Sequence, residues 1–287
     1  VSMVKNNIHF SLYTLHLKKV LLGTLLLLSI HSFAQDRMEK GEVRHSYMVG
    51  YGHANVLDSY LSPYNYTGSN FKFMFESLTP CKVRLGKGDT SDYLYHTQLT
   101  TDASIIENRT KNVSGLAGGA RWNIGVLRNF YTNGAFSLYA GPMLNTYVGG
   151  VYNERNGNNP AQLKLSVTLD AKVMAMYDFK AWNIPVHVDY RVSAPLVGLA
   201  HSPEYGESYY ELYKLDDSRN GIVCVYPGNM PSLRHLLTFE VPVLTGHKIR
   251  FGYSGDFMQS KIHDLKYHSY TQTFMVGMTT TLFRKSR

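Results

Sequence analysis

Apolar and polar residues alternate with a period of two along most of the chain after residue 43, and little of it has the 3.6-residue period of an amphipathic helix. Residues 161–179 show this most clearly, since Leu163 and Leu165 share one parity while Lys164 and Asp170 share the other. Successive side chains of a β-strand point to opposite faces. This segment therefore predicts a strand with one apolar and one charged side.

Ten segments carry this alternation, some more weakly than others: 43–54, 71–78, 93–106, 121–126, 135–148, 161–179, 184–196, 233–243, 250–257 and 273–283. Strands of soluble β-sandwiches are usually about five or six residues long, whereas several of these reach the length that a tilted strand needs to cross a bilayer. The pattern predicts an all-β protein, an antiparallel transmembrane β-barrel of about ten strands.

The connections between these segments alternate between short and long, as expected of an outer-membrane barrel with both termini on the periplasmic side. The predicted tight turns are 128–134, 179–183 and 244–248, and the predicted long outer loops are 55–69, 149–161, 199–231 and 259–268. The exception is 79–92, a longer link on the side of the short turns.

The first residues have the features of an export signal. Three lysines precede an apolar run over residues 20–30, and the small-residue site Ser32-Phe33-Ala34 follows it. The run is too short to span a bilayer as a helix, which favours a cleaved signal peptide over residues 1–34 and a barrel domain over 35–287. We therefore expect export and barrel-assembly machinery as partners, and residence in the cell outer membrane among its lipid and lipopolysaccharide.

Composition narrows the function classes. Removing residues 1–34 takes away three lysines and no acidic residue, so the net charge falls from +8 to about +5, with acidic and basic residues interspersed. This favours ordinary solvated or lumenal charge over nucleic-acid binding. The 22 tyrosines fit the aromatic girdles of a membrane barrel. Cys81 and Cys224 are expected at opposite ends of the barrel, on the periplasmic side and outside respectively.

The polar parity predicts a charged lumen. Small barrels have interiors just wide enough for side chains, and buried charges persist there when paired. A network of ion pairs that closes the lumen is therefore favoured over an open conducting pore. The residues predicted to form it are Arg121, Lys164, Asp170, Lys172, His187, Asp189, Arg191, Arg234, Glu240, Arg250 and Asp256. Arg44, Lys72, Glu76, His96 and Asp102 share the same inward parity.

Candidate catalytic groups are few. His187 and Asp189 share a face, so a general-base pair is geometrically possible, but a salt-bridged lumen explains both residues more simply. At the rim, His201 and Ser202 are adjacent and would point to opposite faces of a strand. No catalytic residue, metal or cofactor is predicted. The candidate contact residues of the outer loops are Asp58, Tyr60, His201, Glu204, Tyr205, Tyr209 and Tyr210.

Five segments carry a resemblance to a known family: residues 56–63 (VLDSYLSP), 158–162 (NNPAQ), 202–211 (SPEYGESYYE), 227–234 (PGNMPSLR) and 265–268 (LKYH). In this order they resemble a domain-of-unknown-function family of exported barrel proteins from gut and oral Gram-negative anaerobes. The resemblance implies the barrel fold but no activity or catalytic residue.

These segments lie largely in the predicted outer loops, where binding function is expected. The favoured interpretation is a non-enzymatic outer-membrane protein that binds or admits a ligand through those loops. An envelope-lipid-modifying barrel hydrolase and a purely structural envelope barrel are the alternatives.

Overall fold

The computed structural model describes residues 42–84, 90–157, 159–203 and 221–283, so the predicted signal peptide lies outside the described residues. Within these ranges no helix is long and apolar enough to cross a membrane. The strands are β1 (Glu42–Asp58), β2 (Ser62–Arg84), β3 (Thr90–Asn108), β4 (Ser114–Asn133), β5 (Phe136–Asn153), β6 (Ala161–Ala181), β7 (Ile184–His201), β8 (Ile222–Val225), β9 (Ser232–Leu244), β10 (His247–Ile262) and β11 (Leu265–Phe283).

Ten of these strands form a closed antiparallel barrel. Their order in the sheet is β6-β5-β4-β3-β2-β1-β11-β10-β9-β7, and pairing of β6 with β7 closes the ring. The short strand β8 pairs with Gly198–His201 at the end of β7 and lies outside the ring. The prediction of an all-β barrel of about ten strands is confirmed.

The strands are staggered around the ring. A row of paired residues that starts at Tyr51 on β1 reaches Leu163 on β6 in one direction and Ala175 on β6 in the other, twelve residues apart. With about 3.3 Å per residue and about 4.8 Å between strands, this stagger tilts the strands by about 40° to the barrel axis. A strand therefore crosses the barrel wall obliquely and needs more residues than an upright one.

Apolar side chains face outward and polar side chains face inward. On β6, Val167 and Val173 are about half exposed, whereas Asp170 is completely buried and Lys172 is 6% exposed. The inward-facing charged residues fill the lumen, and the outward-facing aliphatic and aromatic residues form an apolar belt. Such an arrangement is typical of transmembrane β-barrels and the reverse of a soluble protein.

The two ends of the barrel differ. We call the end that holds Glu42 and Phe283 the terminal end and the opposite one the loop end. The fully described turns at the terminal end, those of β4–β5, β6–β7 and β9–β10, are tight hairpins. In the β6–β7 hairpin, Trp182 and Asn183 have positive φ, at 47° and 66°. Two consecutive positive φ values indicate a type I′ turn, whose twist matches that of the flanking strands.

Several predicted loops are wrong, because the strands continue beyond their apolar parity. Strand β1 runs to Asp58 and β2 begins at Ser62, so most of the predicted loop 55–69 is paired strand. In the same way, the predicted loop 259–268 is a hairpin whose turn residues are His263 and Asp264. Pairing of Arg84 with Thr90 likewise shortens the predicted link 79–92. Backbone pairing persists where side chains no longer alternate in polarity.

Cys81 lies near the end of β2, at the terminal end, and Cys224 lies on β8, at the loop end. Both are free thiols. Their separation agrees with the strand order expected from the sequence.

Candidate functional site

Three ion pairs of the described residues cross the lumen from wall to wall. Each joins strands five places apart in the ring of ten, so its two residues lie on opposite walls. We call them the cross-lumen pairs: Glu76 (β2) with Arg191 (β7), Arg121 (β4) with Asp256 (β10), and Asp58 (β1) with Lys164 (β6). In this order they step from the middle of the barrel toward the loop end.

We call each cross-lumen pair together with the side chains in contact with it a layer. Glu76 is the centre of the first layer, and its side chain is completely buried. One carboxylate oxygen, Oε1, lies 2.6 Å from His96 Nε2 and pairs with the Arg191 guanidinium. The other, Oε2, accepts a hydrogen bond of 2.7 Å from Arg250. Glu76 therefore ties together β2, β3, β7 and β10.

The arginines of this layer are held by further acids. Arg191 Nε lies 2.7 and 2.9 Å from the two carboxylate oxygens of Asp189. Arg250 lies 3.3 Å from Glu240 and 3.4 Å from Asp189, and it donates to the Thr238 hydroxyl at 3.1 Å. Buried charges are tolerated when paired and hydrogen-bonded in this way.

The second and third layers lie nearer the loop end. Arg121, besides pairing with Asp256, stacks over the Tyr147 ring with its guanidinium carbon 4.9 Å from the ring centre. Lys164 Nζ lies 3.0 Å from Asp58 and 4.1 Å from the centre of the Tyr267 ring. Each layer therefore combines an ion pair with another packed side chain.

Apolar side chains pack inside the barrel at the loop end, around the third pair. The cluster consists of Ala54, Val56, Leu61, Tyr66, Ile106, Val113, Ala117, Tyr147, Val151, Met258 and Tyr267. Together with the ion-pair layers it fills the lumen with side chains, as expected for a small barrel.

All eleven residues of the predicted lumen network lie on inward-facing positions, and each has a charged or hydrogen-bonding partner inside the barrel. Glu76 and His96 were predicted to face inward but were not included in the predicted network. Their strands, β2 and β3, alternate only weakly, so nothing in the pattern marked Glu76 as the residue that several partners share.

The possible His187–Asp189 base pair is not formed. His187 Nδ1 lies 2.6 Å from Asp178 on the neighbouring strand, while Asp189 pairs with Arg191. Both His187 and Asp178 lie near the terminal end, within the ion-pair network. A structural role explains His187 without catalysis.

The candidate outer-loop residues fall into three groups. Asp58 was expected to be a surface contact, but it is 4% exposed and paired with Lys164, because β1 continues to this position and turns the side chain inward. Tyr60 is half-buried against the apolar cluster. His201, half-buried, ends β7. Glu204, Tyr205, Tyr209 and Tyr210 lie outside the described residues.

Two serines at the loop end, Ser59 and Ser202, form hydrogen bonds with backbone groups and none with a described histidine that could act as a base. Ser59 Oγ accepts a hydrogen bond of 2.7 Å from the Lys266 backbone, and Ser202 donates to the Pro203 carbonyl at 3.4 Å. A serine nucleophile requires a base within hydrogen-bond reach. Among the described residues there is also no cluster of three His, Cys, Asp or Glu side chains that could hold a metal. The described rim offers no assembled hydrolytic site.

Solved structures that resemble this chain are outer-membrane barrels of low sequence identity. The transport unit of the autotransporter AIDA-I from Escherichia coli has a TM-score of 0.49 and 8% identity, over 88% of this chain and 93% of that one. The outer membrane protease OmpT from Escherichia coli has a TM-score of 0.43 and 7% identity, over 88% and 99%. The translocator domain of the autotransporter NalP from Neisseria meningitidis has a TM-score of 0.42 and 11% identity, over 95% of each chain.

No curated protein shows significant similarity to the chain. A family model described as "Protein of unknown function (DUF3316)" matches residues 19–287, nearly the whole sequence.

Proposed function

We propose a function for this chain, which belongs to the DUF3316 family of proteins of unknown function, from the geometry of its barrel. It is a non-enzymatic outer-membrane protein whose lumen is closed to ions and whose loop end binds its ligand.

The observation that carries this proposal is the Glu76–Arg191 pair across the middle of the lumen. Opening a pore along the axis would separate Glu76 from Arg191 and Arg250, so its buried carboxylate would lose both guanidinium partners. Breaking a buried pair in this way costs about 3–5 kcal/mol. The closed arrangement is therefore the stable one, and the lumen is a poor route for a solute.

An outer-membrane setting is supported by the apolar belt and by the closed sheet. A closed barrel has no sheet edge, so all its backbone hydrogen bonds form within the sheet. A β-protein in a lipid bilayer requires this. Outward residues such as Phe274 (73% exposed) and Val276 would otherwise face water. Lipid and lipopolysaccharide are then the surroundings of the wall, and a signal peptide over residues 1–34 would deliver the chain to the export and barrel-assembly machinery.

The connection between β7 and β9, residues 202–231, is the segment best suited to binding. The turns at 59–61 and 263–264 are too short to form a ligand-binding surface. The connection 202–231 is longer and carries the segments 202–211 and 227–231 that resemble the family. Its described part is ordered by hydrogen bonds, since Asn229 Nδ2 donates to the Cys224 carbonyl at 2.9 Å and the Lys261 amide donates to the Asn229 carbonyl at 2.8 Å. Tyr226 is 53% exposed beside them.

The two native cysteines test the membrane setting and its orientation. Cys224 is exposed at the loop end and Cys81 lies at the terminal end. A membrane-impermeant maleimide added to intact cells should label the Cys81→Ser variant through Cys224, and it should label Cys224→Ser only after the outer membrane is disrupted. The reverse pattern, or equal labelling of both variants in intact cells, would reject the proposed orientation.

Lipid A mass tests the non-enzymatic part of the proposal. The mass spectrum of lipid A from cells that overproduce the protein should equal that of cells carrying an empty vector. A new species that lacks an acyl chain would revive the hydrolase alternative.

A further inference from the structure

A cavity lies in the lumen between the first and second cross-lumen pairs. Its walls include the cationic side chains of Lys72, Arg121, Lys172, Arg191 and Arg234, and among its lining residues Asp256 is the one carboxylate. About 50 Å³ of it is open to water-sized molecules. One water needs about 10–15 Å³ on this measure, so the space holds roughly four water-sized groups.

The three arginines of this wall already have acidic partners. Arg121 pairs with Asp256, Arg234 with Asp170, and Arg191 with Glu76 and Asp189. The other two cations are lysines that form no ion pair with a described residue: Asp256 and Asp102 attract Lys72, and Asp189 and Asp170 attract Lys172, from more than 4.0 Å away.

Lys72 is 5% exposed, and its ammonium donates to two hydroxyls, those of Thr271 at 3.2 Å and Ser254 at 3.4 Å. Among the described residues no carboxylate lies within 4.0 Å of it, although Asp102 is its direct cross-strand neighbour in the backbone pairing. A buried ammonium is costly unless a negative charge compensates it.

Lys172 repeats the arrangement from the other side of the cavity. It is 6% exposed and lies 3.1 Å from His96 Nδ1 and 3.5 Å from the Gln98 side-chain oxygen, again with no described carboxylate within 4.0 Å. The Arg121 Nε–H is buried without a hydrogen-bond acceptor among the described residues. The ammonium groups of Lys72 and Lys172 and the guanidinium of Arg121 thus surround a space for about four water-sized groups.

We propose that this cavity binds one small tetrahedral oxyanion, inorganic phosphate or sulfate, between Lys72, Lys172 and Arg121. Charge-assisted hydrogen bonds from ammonium and guanidinium groups to such an oxyanion are among the stronger ones in proteins. The cavity lies between the first cross-lumen pair and the apolar cluster of the loop end, so the ion enters while the barrel folds. It acts as a structural component of the lumen, independent of the ligand at the loop end.

The experiment measures unfolding of refolded barrel in detergent at constant ionic strength, with sodium phosphate, sodium sulfate or sodium chloride. At equilibrium, phosphate or sulfate should raise the folding constant with a saturable dependence, by about tenfold at ten times the dissociation constant. Lys72→Met and Lys172→Met should lose this dependence. Lys266→Met, at an exposed position outside the cavity, is the matched control and should keep it.

A wild-type crystal grown with selenate supplies a direct readout if either lysine variant fails to fold. The proposal predicts an anomalous peak within hydrogen-bond distance of the Lys72 and Lys172 ammoniums. The proposal is overturned if the stability depends on ionic strength alone or if the lysine variants respond to phosphate as the wild type does. A cavity that holds water and no selenium would also overturn it.

Discussion

Glu76 on β2 and Arg191 on β7 form an ion pair between opposite walls of the barrel, five strand positions apart in a ring of ten. Because Glu76 also binds Arg250 and His96, one carboxylate joins the β2–β3 hairpin to β7 and β10, which are distant from it in sequence. The pairing therefore cross-links opposite walls at the centre of the lumen.

Replacing Glu76 with glutamine should therefore be costly. The amide keeps the shape but removes the negative charge that Glu76 supplies to both Arg191 and Arg250, so the free energy of unfolding should fall by about 3–5 kcal/mol. Urea unfolding of the protein refolded into lipid vesicles measures the change. Glu154→Gln, at an exposed position in the β5–β6 connection, serves as control and should change the free energy by less than about 0.5 kcal/mol. Equal effects of the two substitutions would contradict a central role for Glu76.

The Arg121–Asp256 pair should show energetic coupling across the lumen. In a double-mutant cycle of Arg121→Met and Asp256→Asn, we expect a coupling energy of about 0.5–3 kcal/mol, because the two residues contact each other from opposite walls. The measurement is again unfolding in lipid vesicles. Additive effects within about 0.3 kcal/mol would mean that the pair does not form.

Much of the fold can be predicted from the sequence, because alternation fixes which side of a strand faces the lumen. On β6 the polar parity of residues 162–178 matches the inward face almost position by position. On β2 alternation marked only residues 71–78 of a strand that spans Ser62–Arg84. At the loop end the polarity is reversed, since Val56 and Tyr66 face inward while Asn65 is exposed, so the strand ends do not continue the alternation of the belt.

The cross-lumen pairs could not be predicted in this way. Which inward residues meet depends on how the ring closes, and the twelve-residue stagger on β6 is a property of all ten registers together. Asp58 illustrates the difficulty, since its sequence context reads as a loop while pairing of β1 with β2 turns it toward Lys164.

The apolar belt should be sensitive to charge at its centre. Val276 lies between Phe274 and Met278 on the outward face of β11. Val276→Arg should destabilise the barrel in lipid vesicles by about 2–4 kcal/mol, whereas Gln272→Arg, toward the loop end on the same face, should cost about 0–1 kcal/mol. Similar costs at the two positions would indicate that this face does not lie in lipid.

The β6–β7 hairpin should require residues that tolerate positive φ. Asn183 has a φ of 66°, a conformation that costs a residue with a Cβ about 1–2 kcal/mol. Asn183→Gly should leave the thermal unfolding midpoint nearly unchanged, while Asn183→Val should lower the stability by at least about 1 kcal/mol. A valine variant as stable as the glycine variant would argue against the type I′ turn.

Ion conductance across planar bilayers tests the closed lumen most directly. A variant with Glu76, Arg191 and Arg250 all replaced by alanine removes the central layer and serves as the reference for an opened barrel. For the wild-type protein at neutral pH, we expect a baseline without steady conductance steps. Steady steps that scale linearly with voltage would contradict a closed lumen.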